Sequence, residues 1–173
     1  MVTSPIVMSG SASGTAEWAL LSYRVPREPS TPRIAVWRKL KSLGVAQIGD
    51  GVVALPADAR TREQLEWVAE DVEQAGGAAM LWTARPDSAE DERRLAAQMA
   101  AACAAEYAQV RDRAVAAALD ADPAAAASTV RKLRAELRRI ERRDFFPPDE
   151  RAAARAAVQA LAARVAEGDR EPA

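Results

Sequence analysis

Residues 18–44 read WALLSYRVPREPSTPRIAVWRKLKSLG and contain the two kinds of segment from which the fold is built. The apolar run at 19–25 is typical of a buried strand, and Pro26 and Pro29 end it because proline fixes φ and removes a backbone donor. A helix is predicted at residues 32–43, since apolar side chains recur there at helical spacing before a glycine. Its expected core face contains Val36, Trp37, Leu40 and Leu43.

Short apolar runs bounded by Gly or Pro indicate four strands, at residues 19–25, 45–47, 52–55 and 78–83. One predicted helix separates the first two strands, and a second separates the last two. The order βαββαβ is that of a ferredoxin-like unit, in which two helices cover one face of a mostly antiparallel sheet. We therefore predict an α+β fold with this unit at residues 17–86.

Turn and capping residues set the expected boundaries inside this unit. Gly49-Asp50-Gly51 predicts a hairpin turn, because glycine supplies the positive φ that such turns need. The second helix is predicted at residues 62–74, beginning with a Thr61-x-x-Gln64 capping box and ending at Gly76-Gly77.

The second half of the chain, residues 88–166, is predicted to be a helical extension of about three helices packed on the sheet. Ser88, Asp122-Pro123 and Asp149 are expected to begin these helices, because short polar side chains cap N-termini and proline fits the first turn. The face of the sheet left open by its own helices needs cover from this extension or from a partner chain. Residues 1–16 and 167–173 are predicted to be disordered tails.

Histidine is absent from all 173 residues, which removes imidazole bases, histidine-containing triads and imidazole metal sites from the chemistry of this chain. Among the carboxylates, Asp50 is the one candidate ligand for a hard cation, but its position before Gly51 favours a turn. We therefore predict no enzymatic activity, no cofactor and no metal.

The single cysteine, Cys103, excludes an internal disulfide and is compatible with a reducing compartment. The N-terminal residues lack a basic start followed by a long apolar core, and no apolar stretch is long enough to span a bilayer. A cytoplasmic protein without membrane association is therefore expected.

A net charge of -1 conceals two concentrations of basic residues, which we call the first and second basic sets. The first set contains Arg24, Arg27, Arg33, Arg38, Lys39 and Lys41. The second set contains Arg131, Lys132, Arg134, Arg138, Arg139, Arg142 and Arg143.

The second basic set lies beside a helical stripe of apolar residues. That stripe contains Val130, Leu133, Leu137 and Ile140. Arginines spread over about 11 residues of helix span about 16 Å, enough to meet several consecutive phosphates. Two interpretations stay open: a face for a polyanion, or arginines that pair with the acidic helix at residues 63–73 of the same or another subunit or only solvate the bundle.

Aromatic residues give further expectations. Trp67 lies far from the apolar face of its helix, so its indole is expected to pack under the later helices or to form a subunit interface. Trp37 and Trp82 are expected in the core. Phe145 and Phe146, which precede two prolines, are expected to anchor a helix corner in the core. An exposed indole and a sheet covered on one face predict a homodimer.

Several separated motifs across residues 17–148 resemble the N-terminal domain of the bacterial chromate resistance protein ChrB family. The matching stretches are YRVPREPS at 23–30, RIAVWRKLKSLG at 33–44, DGVVALP at 50–56, TREQLEW at 61–67, GGAAMLW at 76–82 and RRDFF at 142–146. The resemblance implies regulation of a chromate efflux operon, with this domain contacting operator DNA. Full-length members carry a further C-terminal domain linked to chromate sensing, which has no counterpart in these 173 residues.

Three classes of function follow from these observations. The first is a dimeric DNA-binding transcriptional regulator or accessory protein of a chromate resistance or related stress operon, with both basic sets holding phosphates. The second is a sensor module in which arginines near Arg24 and Arg38 bind a tetrahedral oxyanion, since guanidinium groups suit such anions. The third is a protein-interaction module whose basic helix binds an acidic partner.

Overall fold

The computed structural model describes residues 15–119 and 122–168. Residues 1–14 and 169–173, which belong to the predicted tails, lie outside the described ranges. The elements in chain order are β1 (Trp18–Arg24), α1 (Ser30–Leu43), β2 (Ala46–Gly49), β3 (Val52–Pro56), α2 (Ala59–Gln74), β4 (Ala78–Ala84), α3 (Ala89–Ala118), α4 (Pro123–Glu141) and α5 (Glu150–Gly168). The predicted α+β class, with strands before a helical region, is confirmed, and the described residues after Pro86 contain no strand.

The four strands form one antiparallel sheet in the order β2-β3-β1-β4, which is the ferredoxin-like arrangement. Leu21 at the centre of β1 pairs with Val53 on one side and Leu81 on the other. The predicted hairpin joins β2 to β3, and Gly51 adopts a φ of 71° in its turn. The carbonyl oxygen of Gly51 accepts a hydrogen bond of 2.7 Å from the backbone N–H of Tyr23, which ties the turn to β1.

Helices α1 and α2 pack on one face of this sheet and form its core with the inward side chains of the strands. Val36 and Leu40 of α1, with Leu65, Val68 and Val72 of α2, are buried there. Burial of each such side chain contributes about 1.5–3 kcal/mol. The inward strand residues include Ala19, Leu21, Val53 and Leu55.

Helix α2 begins earlier than predicted, because Asp58 and not Thr61 is its N-cap. The Asp58 carboxylate accepts a hydrogen bond of 2.7 Å from the Thr61 N–H, and the Thr61 hydroxyl oxygen accepts one of 2.9 Å from the Asp58 N–H. Thr61 is also fully buried and donates its hydroxyl to the carbonyl oxygen of Pro56 at 2.6 Å. The predicted capping box at Thr61 and Gln64 is therefore wrong by three residues.

The last three helices form a second core of their own. Tyr107 and Val110 of α3, Leu133 and Ile140 of α4, and Leu161 of α5 are fully or almost fully buried in it. Ser88 caps α3 and Asp122 caps α4, as predicted. This three-helix bundle meets the sheet along β2 through α3, and at the corner between α4 and α5.

The corner between α4 and α5, residues 142–148, fastens the bundle to one end of the sheet. Phe146 stacks on Trp18 with 6.0 Å between ring centroids, and the Arg60 guanidinium lies 5.6 Å from the centre of the Phe145 ring. Arg60 also donates a hydrogen bond of 3.2 Å to the carbonyl oxygen of Arg142. The prediction that the two phenylalanines anchor a helix corner is confirmed.

Three tryptophans lie on the surface. Trp37 is 53% exposed and Trp82 is 50% exposed, so the expectation that both are core residues is wrong. Trp37 lies about 100° around α1 from Val36, at the margin of its core face. Trp82 projects from the sheet face opposite α1 and α2, where its indole N–H donates to the Ser22 hydroxyl at 3.0 Å. Trp67 is 50% exposed and is not covered by the later helices.

The two ends of the sheet differ in what surrounds them. The corner end holds Trp18, where β1 begins, and the corner 142–148. The turn end holds Arg24, where β1 finishes, together with the Asp50-Gly51 turn. The seven residues of β1 separate these ends by about 20 Å.

Candidate nucleic-acid interface

Six basic side chains project from the side of α4 opposite its buried stripe, and we call them the arginine ridge. All six are exposed: Arg131, Lys132, Arg134, Arg138, Arg139 and Arg142. The buried stripe of Val130, Leu133, Leu137 and Ile140 faces α3 and α5, as the sequence predicted. At about 100° per residue the ridge occupies nearly half of the helix circumference.

The acidic residues of α4 lie at the margins of the ridge and are engaged by the neighbouring helices. Glu136 accepts a hydrogen bond of 2.6 Å from Arg113 of α3, and Glu141 accepts one of 2.7 Å from Arg155 of α5. The hydrogen bond to Glu141 raises the pKa of the Arg155 guanidinium. The two carboxylates are thus paired with cations outside α4, and the ridge keeps an uninterrupted positive surface.

No ridge side chain forms an ion pair with any residue in the described ranges. The proposed pairing of these arginines with the acidic helix at 63–73 is therefore absent within this chain. One of the five acids of α2 contacts the first basic set, since Asp71 accepts a hydrogen bond of 2.5 Å from Lys39 of α1.

The rest of the first basic set is exposed, and its members have different surroundings. Arg24 and Arg27 lie at or just after the end of β1, and Arg33 lies in the first turns of α1. Arg38 is exposed further along α1. The Lys41 ammonium lies 4.9 Å from the centre of the Trp37 ring, a cation–π contact.

The two basic sets approach each other where Lys41 of the first set and Arg143 of the second line one cavity of about 720 Å³, whereas the arginines of the first set near the end of β1 lie away from α4. Arg24, Arg27 and Arg33 lie at the turn end of the sheet, whereas α4 joins the sheet through the corner end and packs on α3 and α5. The length of β1 alone, about 20 Å, separates Arg24 from the corner that follows Arg142. A single straight ligand face made of both sets is therefore not formed.

A buried polar network at the corner was not identified from the sequence. Arg143 donates two hydrogen bonds to Glu106 of α3, at 2.7 and 2.5 Å. The Tyr107 hydroxyl donates to Asp144 at 2.9 Å, and the Asp144 side chain is completely buried. Arg151 of α5 lies 3.5 Å from the same carboxylate oxygen. The sequence signal from which it could have been found is Asp144, an acid placed directly between Arg142-Arg143 and two phenylalanines.

This network also changes the chemistry of its neighbours. Burial, and then the hydrogen bond to Asp144, raises the pKa of the Tyr107 phenol far above its ordinary value. Burial raises the pKa of the Cys103 thiol, and the nearby Asp144 carboxylate raises it further. Cys103 is a buried free cysteine, and a thiol of raised pKa is a poor nucleophile at neutral pH.

Two further findings concern other kinds of site. Within residues 15–119 and 122–168, no three His, Cys, Asp or Glu side chains are grouped so that they could hold a metal ion. None of the described helices combines the length and the apolar character that crossing a membrane requires.

Comparison with known proteins gives two matches. The family described as Protein ChrB, N-terminal, matches residues 33–122, which include α2, β2 to β4 and α3. Protein ChrB of Cupriavidus metallidurans is 28% identical over 151 residues, which make up 86% of this chain and 45% of that protein. The chain therefore spans less than half the length of this curated relative. No solved structure matches it.

Proposed function

Because this chain belongs to the family of the ChrB N-terminal domain, which is associated with chromate resistance operons, we propose that it binds duplex DNA as a transcriptional regulator or accessory protein of such an operon. The observation that carries this proposal is the arginine ridge on α4. Six exposed cations lie there with no acidic partner among the described residues, and the flanking acids are paired with other helices.

The spacing of the ridge suits a phosphate backbone. Arg131 and Arg142 are eleven residues apart, which is about 16 Å along a helix. Duplex DNA carries one negative charge per about 1.7 Å of its axis, so several ridge side chains meet phosphates at the same time.

Repulsion within the ridge destabilises the free helix, and a bound anion removes this destabilisation. Arg134, Arg138 and Arg142 follow one another at i,i+4 spacing, and like charges at that spacing destabilise a helix by about 0.2–0.5 kcal/mol per pair. A surface that serves only to solvate a bundle normally alternates its charges. Bound phosphates neutralise this repulsion, so the same residues that weaken the free helix stabilise the complex.

The contacts proposed here are to phosphate, which sets affinity and position on the duplex but does not read the sequence of bases. Operator choice therefore has to come from other contacts or from DNA shape. We further propose that the protein acts in the cytoplasm as a homodimer, which places two ridges on one duplex. Exposed Met80 and Trp82 on the sheet and Trp67 on α2 support the proposed self-association.

Fluorescence anisotropy with a labelled promoter duplex at several salt concentrations tests the proposal. Log affinity should fall linearly with log salt, and each ridge Arg→Ala substitution should reduce the slope by about one. Replacement of Arg134 and Arg138 by Glu should weaken binding more than replacement by Ala. Arg93→Ala is the matched control, because Arg93 is an exposed arginine of α3 that has no ion pair with a described residue.

Two results contradict DNA binding through the ridge. One is the absence of duplex binding by the folded protein at roughly 50 mM salt, where electrostatic binding is strong. The other is equal loss of affinity in Arg93→Ala and in the Arg134 and Arg138 variants. If the protein binds polyglutamate but not DNA, the hypothesis of an acidic protein partner is favoured instead.

A further inference from the structure

A second concave surface lies at the turn end of the sheet, away from α4. It is a cavity of about 560 Å³ between the end of β1, the β2–β3 turn and the first half of α1. Cavities of about 300–1,000 Å³ are the usual size of small-molecule sites. The cavity combines three chemical features, each supplied by different side chains.

The first feature is unpaired positive charge. Arg24 and Arg33 line the cavity, both are exposed, and neither forms an ion pair with a described residue. The first turn of α1 contains no acidic residue, and Pro29 at its N-cap offers no side-chain cap.

The second feature is an apolar wall that is exposed to solvent. Trp37 is 53% exposed and Ile34 is 44% exposed, and both line the cavity. Lys41 makes its cation–π contact with Trp37 and lines the neighbouring cavity but not this one. The Lys41 side chain therefore does not fill this cavity, where the exposed indole of Trp37 can receive a flat ring.

The third feature is a pair of hydrogen-bond acceptors. Asp50 lines the cavity without an ion pair to either arginine, so its carboxylate can accept from a ligand. Gln47 donates its amide N–H to the carbonyl oxygen of Gly49 at 2.8 Å, which leaves its own side-chain oxygen as an acceptor.

An anionic group, a flat ring and an N–H donor occur together in a nucleotide with an amino-substituted base. We infer that this cavity binds a nucleoside phosphate, with the phosphate on Arg24 and Arg33, the base on Trp37 and Ile34, and the amino group toward Asp50. A bare tetrahedral oxyanion uses only the two arginines and leaves the apolar wall in contact with water. The site is independent of DNA binding, since the ridge belongs to the opposite end of the sheet.

Isothermal titration calorimetry of the full chain tests this inference with adenosine monophosphate, inorganic phosphate and adenosine as three separate probes. Adenosine monophosphate should bind with one site per chain, and each of the other two should bind at least about tenfold more weakly. Arg33→Ala and Trp37→Leu should each reduce affinity for adenosine monophosphate about tenfold or more, because each removes a charged or stacking contact. Circular dichroism establishes that both variants are folded.

The double variant Arg134→Glu and Arg138→Glu is the matched control, since the ridge is the other place where a phosphate could bind. Its affinity for adenosine monophosphate should equal that of the wild type, even though its DNA affinity falls. Three results overturn the inference: no heat with adenosine monophosphate, equal affinity for inorganic phosphate, or binding that the ridge variant loses and Arg33→Ala keeps. The second of these results would favour the hypothesis that the cavity binds a bare tetrahedral oxyanion.

Discussion

Replacement of Tyr107 by Phe tests the buried network that joins the helical bundle to the sheet. Tyr107 is fully buried, and its hydroxyl donates to one oxygen of Asp144 at 2.9 Å. The Asp144 side chain is itself completely buried, and its other oxygen has no hydrogen-bond partner in the described structure. In Tyr107→Phe the carboxylate therefore keeps a single contact, the 3.5 Å interaction with Arg151.

The expected loss follows from the charge of the acceptor. A hydrogen bond to a charged group contributes about 1.5–3 kcal/mol, and its removal leaves a buried acceptor unsatisfied. We expect Tyr107→Phe to lower the free energy of unfolding at pH 7 by about 2 kcal/mol in urea denaturation. Tyr23→Phe is the control, because Tyr23 is the other of two tyrosines and no described residue bonds its hydroxyl. Its effect should stay within about 0.5 kcal/mol.

The pH dependence of this difference provides a second measurement. The pKa of Tyr107 is raised in the folded state above its ordinary value of 10.0, so folding favours the neutral phenol. Its contribution is complete below pH 10 and is lost as pH rises further, by about 1.4 kcal/mol per unit, because only the unfolded state ionises. Tyr107→Phe lacks this loss, so the difference in free energy of unfolding between wild type and variant should become smaller above pH 10. Two results would refute the reasoning: a difference in free energy of unfolding that stays constant from about pH 7 to pH 11, or one no larger than the difference that Tyr23→Phe produces.

Two further predictions concern the hairpin turn and self-association. Gly51→Ala should lower stability by about 1–3 kcal/mol in urea denaturation, since Gly51 has a φ of 71° and an added Cβ would lie 2.3 Å from the Tyr23 carbonyl oxygen. Gly49→Ala, where an added Cβ meets nothing within 4 Å, should change stability little, and equal effects would contradict the role assigned to the turn. Sedimentation equilibrium at micromolar protein should show dimers that Trp67→Ala or Trp82→Ala weakens about tenfold, as for a buried interfacial Trp. A clean monomer mass would rule out self-association in that range.

Strand positions and the order of elements could be predicted from the sequence because Gly and Pro mark almost every boundary. The start of α2 could not, because Thr61 is chemically suitable both as an N-cap and as the third residue of a helix capped by Asp58. The choice depends on the hydrogen bonds of the buried Thr61 side chain, which donates to the carbonyl oxygen of Pro56 at the end of β3, and residue type alone does not show which position makes them. Local sequence therefore gave the existence of the helix but not its first residue.

The exposure of the tryptophans also could not be predicted from the local sequence. Hydrophobicity and spacing predicted core positions for Trp37 and Trp82, yet both are surface residues. Which strands the bundle covers depends on where the corner 142–148 attaches, and that attachment relies on Phe146 and Trp18, more than 120 residues apart in the chain. The helical stripe of α4 was predictable, since its burial is decided by a period within one helix.

The arrangement of charges on α4 depends both on the periodicity of its own sequence and on contacts with the neighbouring helices. Periodicity predicts which side of the helix carries the arginines, but the pairing of Glu136 and Glu141 with α3 and α5 makes that side free of acids. The direction in which the ridge points is then set by the corner, where Arg143 holds Glu106 and Asp144 holds Tyr107. These contacts tie α3 to the corner that follows α4 and so limit how α4 can be oriented. A helix held in this way presents its ridge to a row of phosphates in one orientation, whereas the exposed ridge side chains themselves lose rotamer freedom when they bind.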